Sequence, residues 1–153
     1  MRVSILFAIG GLLLASPLAA QDAQDRLWDA AISGDTLAIR QALADGADVD
    51  SLDTRTNRNG RRALNWAAWN DRVSVIEILL AAGATIEAEN NTGFTPLHHA
   101  AEAGSVAAAR ALLAAGADPE HRNKAGRLPI ETARERGNAE VAALLAETAP
   151  PPE

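Results

Sequence analysis

His98, His99 and Glu102 stand at spacings of three and four, which puts their side chains on one face of a helix. Imidazole and carboxylate are groups that bind zinc, so this trio is the chain's nearest approach to a metal site. A tetrahedral ion needs four protein ligands, or three and a water, and no second cluster completes such a sphere. No metal or other cofactor is expected. Catalytic patterns fare no better. The sequence has no Gly-x-Ser-x-Gly elbow, no His-Glu-x-x-His pair and no phosphate-cradling Gly-x-x-x-x-Gly-Lys. Its acids are spread over turns and helix exteriors, where they cap and solubilise. The residues do not describe an enzyme.

Binding chemistry is better represented. Arg55, Arg58, Arg61 and Arg62 fall within eight residues, with no acid between them. On a chain of net charge −6 they make a local positive ridge. Arginine and tryptophan are among the residues most enriched at binding hot spots, and Trp69 follows close behind. The alternative is a solvated loop whose arginines answer nearby acids such as Asp50 and Asp53. Both readings stand on sequence alone. A ridge that binds would favour an acidic patch on a protein partner, through charge-assisted hydrogen bonds. The negative overall balance disfavours nucleic acid, whose phosphates need a basic face.

The elements that must hold these residues are set by a period. Gly93–Phe94–Thr95–Pro96–Leu97–His98–His99–Ala100–Ala101 has degraded copies 33 residues earlier, from Gly60 to Ala68, and 33 residues later, from Gly126 to Arg134. In the clearest unit Thr95 can cap a helix, and Pro96 suits its first position because a free N–H there has no partner anyway. Gly104 ends that helix. A second runs from about Ser105 to Ala115, with Val106, Ala109, Leu112 and Leu113 inward, and Gly116–Ala117–Asp118 turns the chain out.

The unit before it departs at two places. Arg62–Ala63 replaces Thr–Pro, an omission expected to weaken the helix by about 1 kcal/mol. Asp71 replaces the helix-ending glycine, and Asp is only a fair substitute there. Trp28 and Trp66 read as structural aromatics. Leu27 to Leu64 spans 37 residues, so the finger carrying Asp53–Thr54–Arg55–Thr56 is four residues longer than its neighbours. Such insertions map to loops on one face, often the binding face. Units at about 24–52, 57–89, 90–122 and 123–147 follow. The first and last read as caps, because Glu131, Arg134, Glu135 and Arg136 suit only a solvated end.

Residues 1–20 have the order of an export signal: Met1–Arg2, an apolar run from Val3 to Ala15, then the small residues Ser16–Pro17–Leu18–Ala19–Ala20. Cleavage is expected between Ala20 and Gln21, leaving a chain of charge −7 through the loss of Arg2. The run is shorter than the ~20 residues of a membrane span, so no lasting insertion is expected, although an uncleaved anchor is the competing reading. No cysteine is present, which excludes disulfides, thiolate metal sites and a cysteine nucleophile. Residues 150–153 form a Pro-rich tail.

Thr95–Pro96–Leu97–His98, Ala100–Ala101, Gly104, Leu112–Leu113 and Gly116–Ala117–Asp118 together resemble the ankyrin-repeat family, over roughly Leu27 to Glu147. The resemblance implies an all-α solenoid of about four helix-turn-helix units with projecting hairpin or turn fingers. It also implies a protein-binding scaffold, with His98 bonding back to the threonine turn. With an export signal the chain looks like periplasmic ankyrin proteins of Gram-negative bacteria. Family binding positions fall here on Arg58, Asn59, Arg61, Trp69 and Asn70, on Asn91, Thr92, Phe94, Glu102 and Ala103, and on Lys124, Ala125, Arg127, Glu135 and Arg136. Trp69 and Phe94 would sit at neighbouring exposed positions of the groove. A monomer holding a periplasmic or secreted protein is the expected function. An immunity or inhibitor protein and a metal-dependent accessory factor are the alternatives.

Overall fold

The structure, a computed structural model, describes residues 17–55 and 59–148. Residues 1–16 of the expected signal, Arg58 and the Pro-rich tail lie outside them. Among the described residues eight helices follow in pairs: α1 (Pro17–Ser33) and α2 (Thr36–Ala44), α3 (Ala63–Trp69) and α4 (Val73–Ala81), α5 (Pro96–Ala103) and α6 (Val106–Ala114), α7 (Pro129–Arg136) and α8 (Ala139–Thr148). The first helices of the pairs stack in one row and the second helices in another. Among the described residues the fingers between pairs are turns, and no strand is present.

Small side chains make the stacking possible. Ala30, Ala31, Ala67, Ala68, Ala100, Ala101 and Ala133 are all buried in the inner row, where a bulkier side chain would hold the helices apart. Leu27, Leu64 and Leu97 fill the space beside them, and Ile39, Ile76, Leu79 and Leu112 close the core from the outer row. Arg134, Glu135 and Arg136 are exposed on α7, as a terminal unit requires. The first unit starts earlier than Leu27. Its inner helix begins at Pro17, and Ala23 and Gln24 are already buried, with Gln24 bonded to both the N–H and the carbonyl of Asp48.

Helix ends follow local chemistry. Thr95 Oγ1 accepts from the His98 N–H, and Gly104 closes α5 at φ 76°. Asp71 adopts φ 56°, the left-handed region where glycine was missing. The missing Thr–Pro of α3 is partly replaced: Asn65 Oδ1 accepts the Arg62 N–H at 2.8 Å, while its Nδ2 donates to the Ala88 carbonyl at 3.0 Å. The expected loss of the cap is therefore offset from the other end of the same turn.

Neighbouring units are also stitched together at one recurring position. Arg72, Ser105 and Asn138 stand 33 residues apart. Each reaches back to carbonyls near the end of the preceding inner helix: Arg72 to Ile32, Ser105 to Trp69, Asn138 to Ala101 and Glu102. Orphan carbonyls of a helix end thereby gain partners from the next unit.

The long finger accounts for the irregular spacing. Asn90 N donates to the Phe94 carbonyl and Asn123 N to that of Arg127, each closing over four residues. In the first finger Asp53 N donates to the Arg61 carbonyl, closing over eight. The four additional residues thus lie inside that loop, with Asp53 in the asparagine's place.

Candidate functional site

The fingers are keyed by buried turn residues. Asn90 Oδ1 accepts from Thr92 N, Thr92 Oγ1 and Phe94 N, and Asn123 Oδ1 from Ala125 N and Arg127 N. Adjacent tips are then joined, Asn91 N to the Asn59 carbonyl and Lys124 N to that of Thr92. This run of backbone bonds fixes Asn59, Asn91 and Lys124 side by side along three units.

Behind the tips lies a cavity of about 560 Å³, lined by Asn59, Arg61, Asn90, Asn91, Thr92, Phe94, His99, Glu102, Lys124, Ala125 and Arg127. Nine of the sequence-expected residues meet here: Asn59, Arg61, Asn91, Thr92, Phe94, Glu102, Lys124, Ala125 and Arg127. Trp69 stands beside it, edge-on to His99 at 6.0 Å between ring centroids. Asn70 does not join them. Its Nδ2 donates to the Trp66 carbonyl and closes the end of α3.

Arg61 lies over both indoles, its guanidinium carbon 4.6 Å from the Trp66 ring centre and 4.4 Å from that of Trp69. Cation–π contact of this kind fixes the charge in place. Lys124 Nζ donates to the Asn91 carbonyl at 3.0 Å. Arg127 is paired with Glu135, and Glu102 with Arg136 of the following unit. Phe94 and Trp69 are half-buried rather than exposed. Phe94 packs on His98 and His99, at 5.2 and 5.5 Å between ring centroids.

The arginine ridge divides. Arg55 turns inward on buried Asp53, through bonds of 2.9 and 3.0 Å, and reaches Asp29 at 2.8 Å. Asp53 also accepts the Trp66 Nε1–H at 3.1 Å. Burial pushes the Asp53 carboxyl up, but the Arg55 hydrogen bonds outweigh it and hold the group below its usual range. Arg62 donates to the Asp50 carbonyl. Arg55 thus answers a buried acid and Arg62 the main chain of Asp50, and of the described ridge only Arg61 lines the cavity.

The histidine pair is internal. His98 is buried between Thr95 Oγ1 on Nδ1 and the Arg127 carbonyl on Nε2, both at 2.9 Å. The Arg127 carbonyl can only accept, so the ring proton sits on Nε2, and Nδ1 accepts from the Thr95 hydroxyl and N–H. Both nitrogens are used, which removes His98 from any ligand set. His99 is also buried and lies under the cavity, with Nε2 3.3 Å from Asn90 Nδ2 and Nδ1 3.9 Å from Glu102 Oε2. Burial lowers both pKa values, that of His99 strongly and with help from the charge of Arg61.

The repeated finger, paired helices and Thr95–His98 turn decide the family. A family model described as ankyrin repeats (3 copies) matches residues 27–123 and, overlapping, 86–151. The chain belongs to the ankyrin-repeat family. A search of the curated proteins found no match. Ankyrin repeats are in general protein–protein interaction modules and scaffolds rather than enzymes. In this ankyrin chain no described helix is long and apolar enough to cross a membrane. Sequence reasoning did not identify Asn90 as part of the site. The signal for Asn90 was present in the 33-residue recurrence of asparagine at 90 and 123.

Proposed function

We propose that the chain is an exported, non-enzymatic ankyrin module that holds a protein partner against the finger side of units two to four. One observation carries this reading: Arg61, Phe94, Lys124 and Arg127, from three units, converge on one cavity with Trp69 beside it. Rigid stacking means that few side chains must be ordered on binding, which lowers its entropic cost. The partner presents an acidic surface to Arg61 and Lys124, and the chain acts as a monomer.

Export is supported by the order of residues 1–20. Leu18, Ala19 and Ala20 are exposed, so a cut before Gln21 removes no described side chain from the core and leaves Ala23, Leu27 and Trp28 in place. N-terminal sequencing of chain recovered from the periplasm should begin at Gln21.

The test of binding is affinity capture of the tagged chain from the periplasm, with mass spectrometric identification of what it holds. Recovery of the native partner should fall with Arg61→Glu and with Trp69→Ala. Unchanged recovery with both variants would show that the site lies elsewhere.

A further inference from the structure

We propose that the cavity receives a single carboxylate side chain, Asp or Glu, from the bound partner, seated between Arg61 and Lys124 above the neutral ring of His99. The proposal rests on the protein-binding reading above and adds its chemistry.

The floor of the cavity is decided by Asn90. Its Oδ1 accepts two backbone N–H groups and a hydroxyl, so the atom facing His99 is the amide nitrogen, a donor. His99 Nε2 must then be the acceptor, and the ring proton resides on Nδ1. That proton has no acceptor within hydrogen-bonding distance: Glu102 Oε2 is 3.9 Å away, and Arg136 holds Glu102 from the next unit. The unpaired edge of this ring is thus an N–H rather than a lone pair, and it lies toward Glu102 in the cavity wall. An anion beside that N–H meets a favourable dipole.

The walls agree with the floor. Three cations, Arg61, Lys124 and Arg127, line the space against one acid, Glu102. Glu102 and Arg127 have their own partners, Arg136 and Glu135. Lys124 spends its ammonium on a backbone carbonyl, which a carboxylate outbids as an acceptor. A planar monoanion matches a guanidinium fork, whereas a phosphate dianion would bring a second charge against Glu102. The Phe94 ring offers an apolar wall for the methylene stem.

The carboxylate comes from a side chain for a structural reason. The finger backbones are already bonded to one another, Asn91 to Asn59 and Lys124 to Thr92, so they offer no ladder to a partner's main chain. The rim residues Asn59, Asn91 and Ala125 are exposed, and entry is from across the tips.

The probe is N-acetyl-glutamate amide, titrated into the ¹⁵N-labelled full chain at low salt and followed by NMR. Saturable shifts of the His99 ring nitrogens and the Lys124 amide are expected. Lys124→Gln should weaken binding about tenfold, the loss of one charge-assisted contact, and Arg61→Gln at least as much. Arg110→Gln, on the exposed face of α6, should leave it unchanged. A rise in the His99 pKa on binding is the second readout, since the carboxylate offsets the Arg61 charge. Equal shifts from N-acetyl-glutamine amide, from inorganic phosphate at matched ionic strength, or from the Lys124→Gln chain would overturn the proposal. If Arg61→Glu abolishes partner capture while the glutamate probe does not bind, the carboxylate assignment fails and the protein-binding reading survives. If the probe binds but capture ignores Arg61 and Trp69, the partner reading falls and the pocket is a small-carboxylate site, which also overturns the side-chain assignment.

Discussion

Asp71 Oδ1 accepts the backbone N–H of Ala108 at 2.7 Å, so a residue just past α3 caps α6 of the following unit. The same residue holds φ 56°, where an L side chain is strained. Two effects therefore meet at one position, and substitution separates them. Asp71→Ala loses the cap while the strain stays as in the wild type, so the cost is that of the cap, about 1 to 2 kcal/mol. Asp71→Gly loses the cap but relieves the backbone, and should cost about 1 kcal/mol or less. Urea unfolding of the two variants gives the order; equal losses would mean that the left-handed backbone at residue 71 carries no strain, and no loss in Asp71→Ala would mean that the inter-unit cap contributes nothing.

Asp53 anchors the long finger. It is fully buried and takes hydrogen bonds from Arg55 and from Trp66 Nε1. Asp53→Ala takes the carboxylate acceptor from the Trp66 indole N–H and leaves the half-buried Arg55 guanidinium with Asp29 alone, a loss of about 3 kcal/mol. Asp53→Asn retains an oxygen and should lose less. Because the carboxyl is held below its usual range, its contribution is complete above the unfolded value near 4. It disappears as pH falls through the folded value. Wild-type and Asp53→Asn unfolding curves should therefore converge at strongly acid pH.

The repeat was readable because its residues obey steric rules that leave few options. Ala100–Ala101 permits close helix approach, Gly104 permits a left-handed end, and Thr95–Pro96 starts a helix whatever surrounds it. The contacts between units were not readable in this way. Nothing local to Arg72, Ser105 or Asn138 says that each reaches the carbonyls of the helix before it, since three different side chains do it. The arginine ridge shows the same limit. Arg55 and Arg61 have equal charge and nearly adjacent places, yet the buried carboxylate of Asp53 claims one and the indoles of Trp66 and Trp69 receive the other. Sequence gives the position of a charge; packing decides what it faces.

Gly93 controls the register of the third and fourth fingers. It sits at φ 79°, and a Cβ there would lie 2.6 Å from the Lys124 backbone nitrogen. Gly116 also has positive φ, 95°, but a Cβ would meet nothing within 4 Å. Gly116→Ala should cost about 1 kcal/mol, from backbone strain alone. Gly93→Ala should cost at least about 1 kcal/mol more, from the clash, and should weaken partner capture by displacing Lys124. Equal melting temperatures for the two variants would show that the fingers are not in close contact.

His98 and His99 are neighbours with opposite tautomers. The Arg127 carbonyl gives His98 an Nε2–H, and the Asn90 amide gives His99 an Nδ1–H. Ring ¹⁵N spectra at neutral pH should show one of each. Burial, with the charge of Arg61 acting on His99, lowers both pKa values below 6.5. The sign of the stability effect follows. Below pH 6.5 the unfolded chain takes up protons that the folded chain refuses, so stability is full above that value and lost as pH falls. Each histidine contributes up to about 1.4 kcal/mol per pH unit until its folded pKa is reached. Urea unfolding at pH 7.5, 6.5 and 5.5 should give midpoints that fall only across the lower step. A midpoint that holds steady down to pH 5.5 would mean that the two rings protonate in the fold as readily as in the open chain.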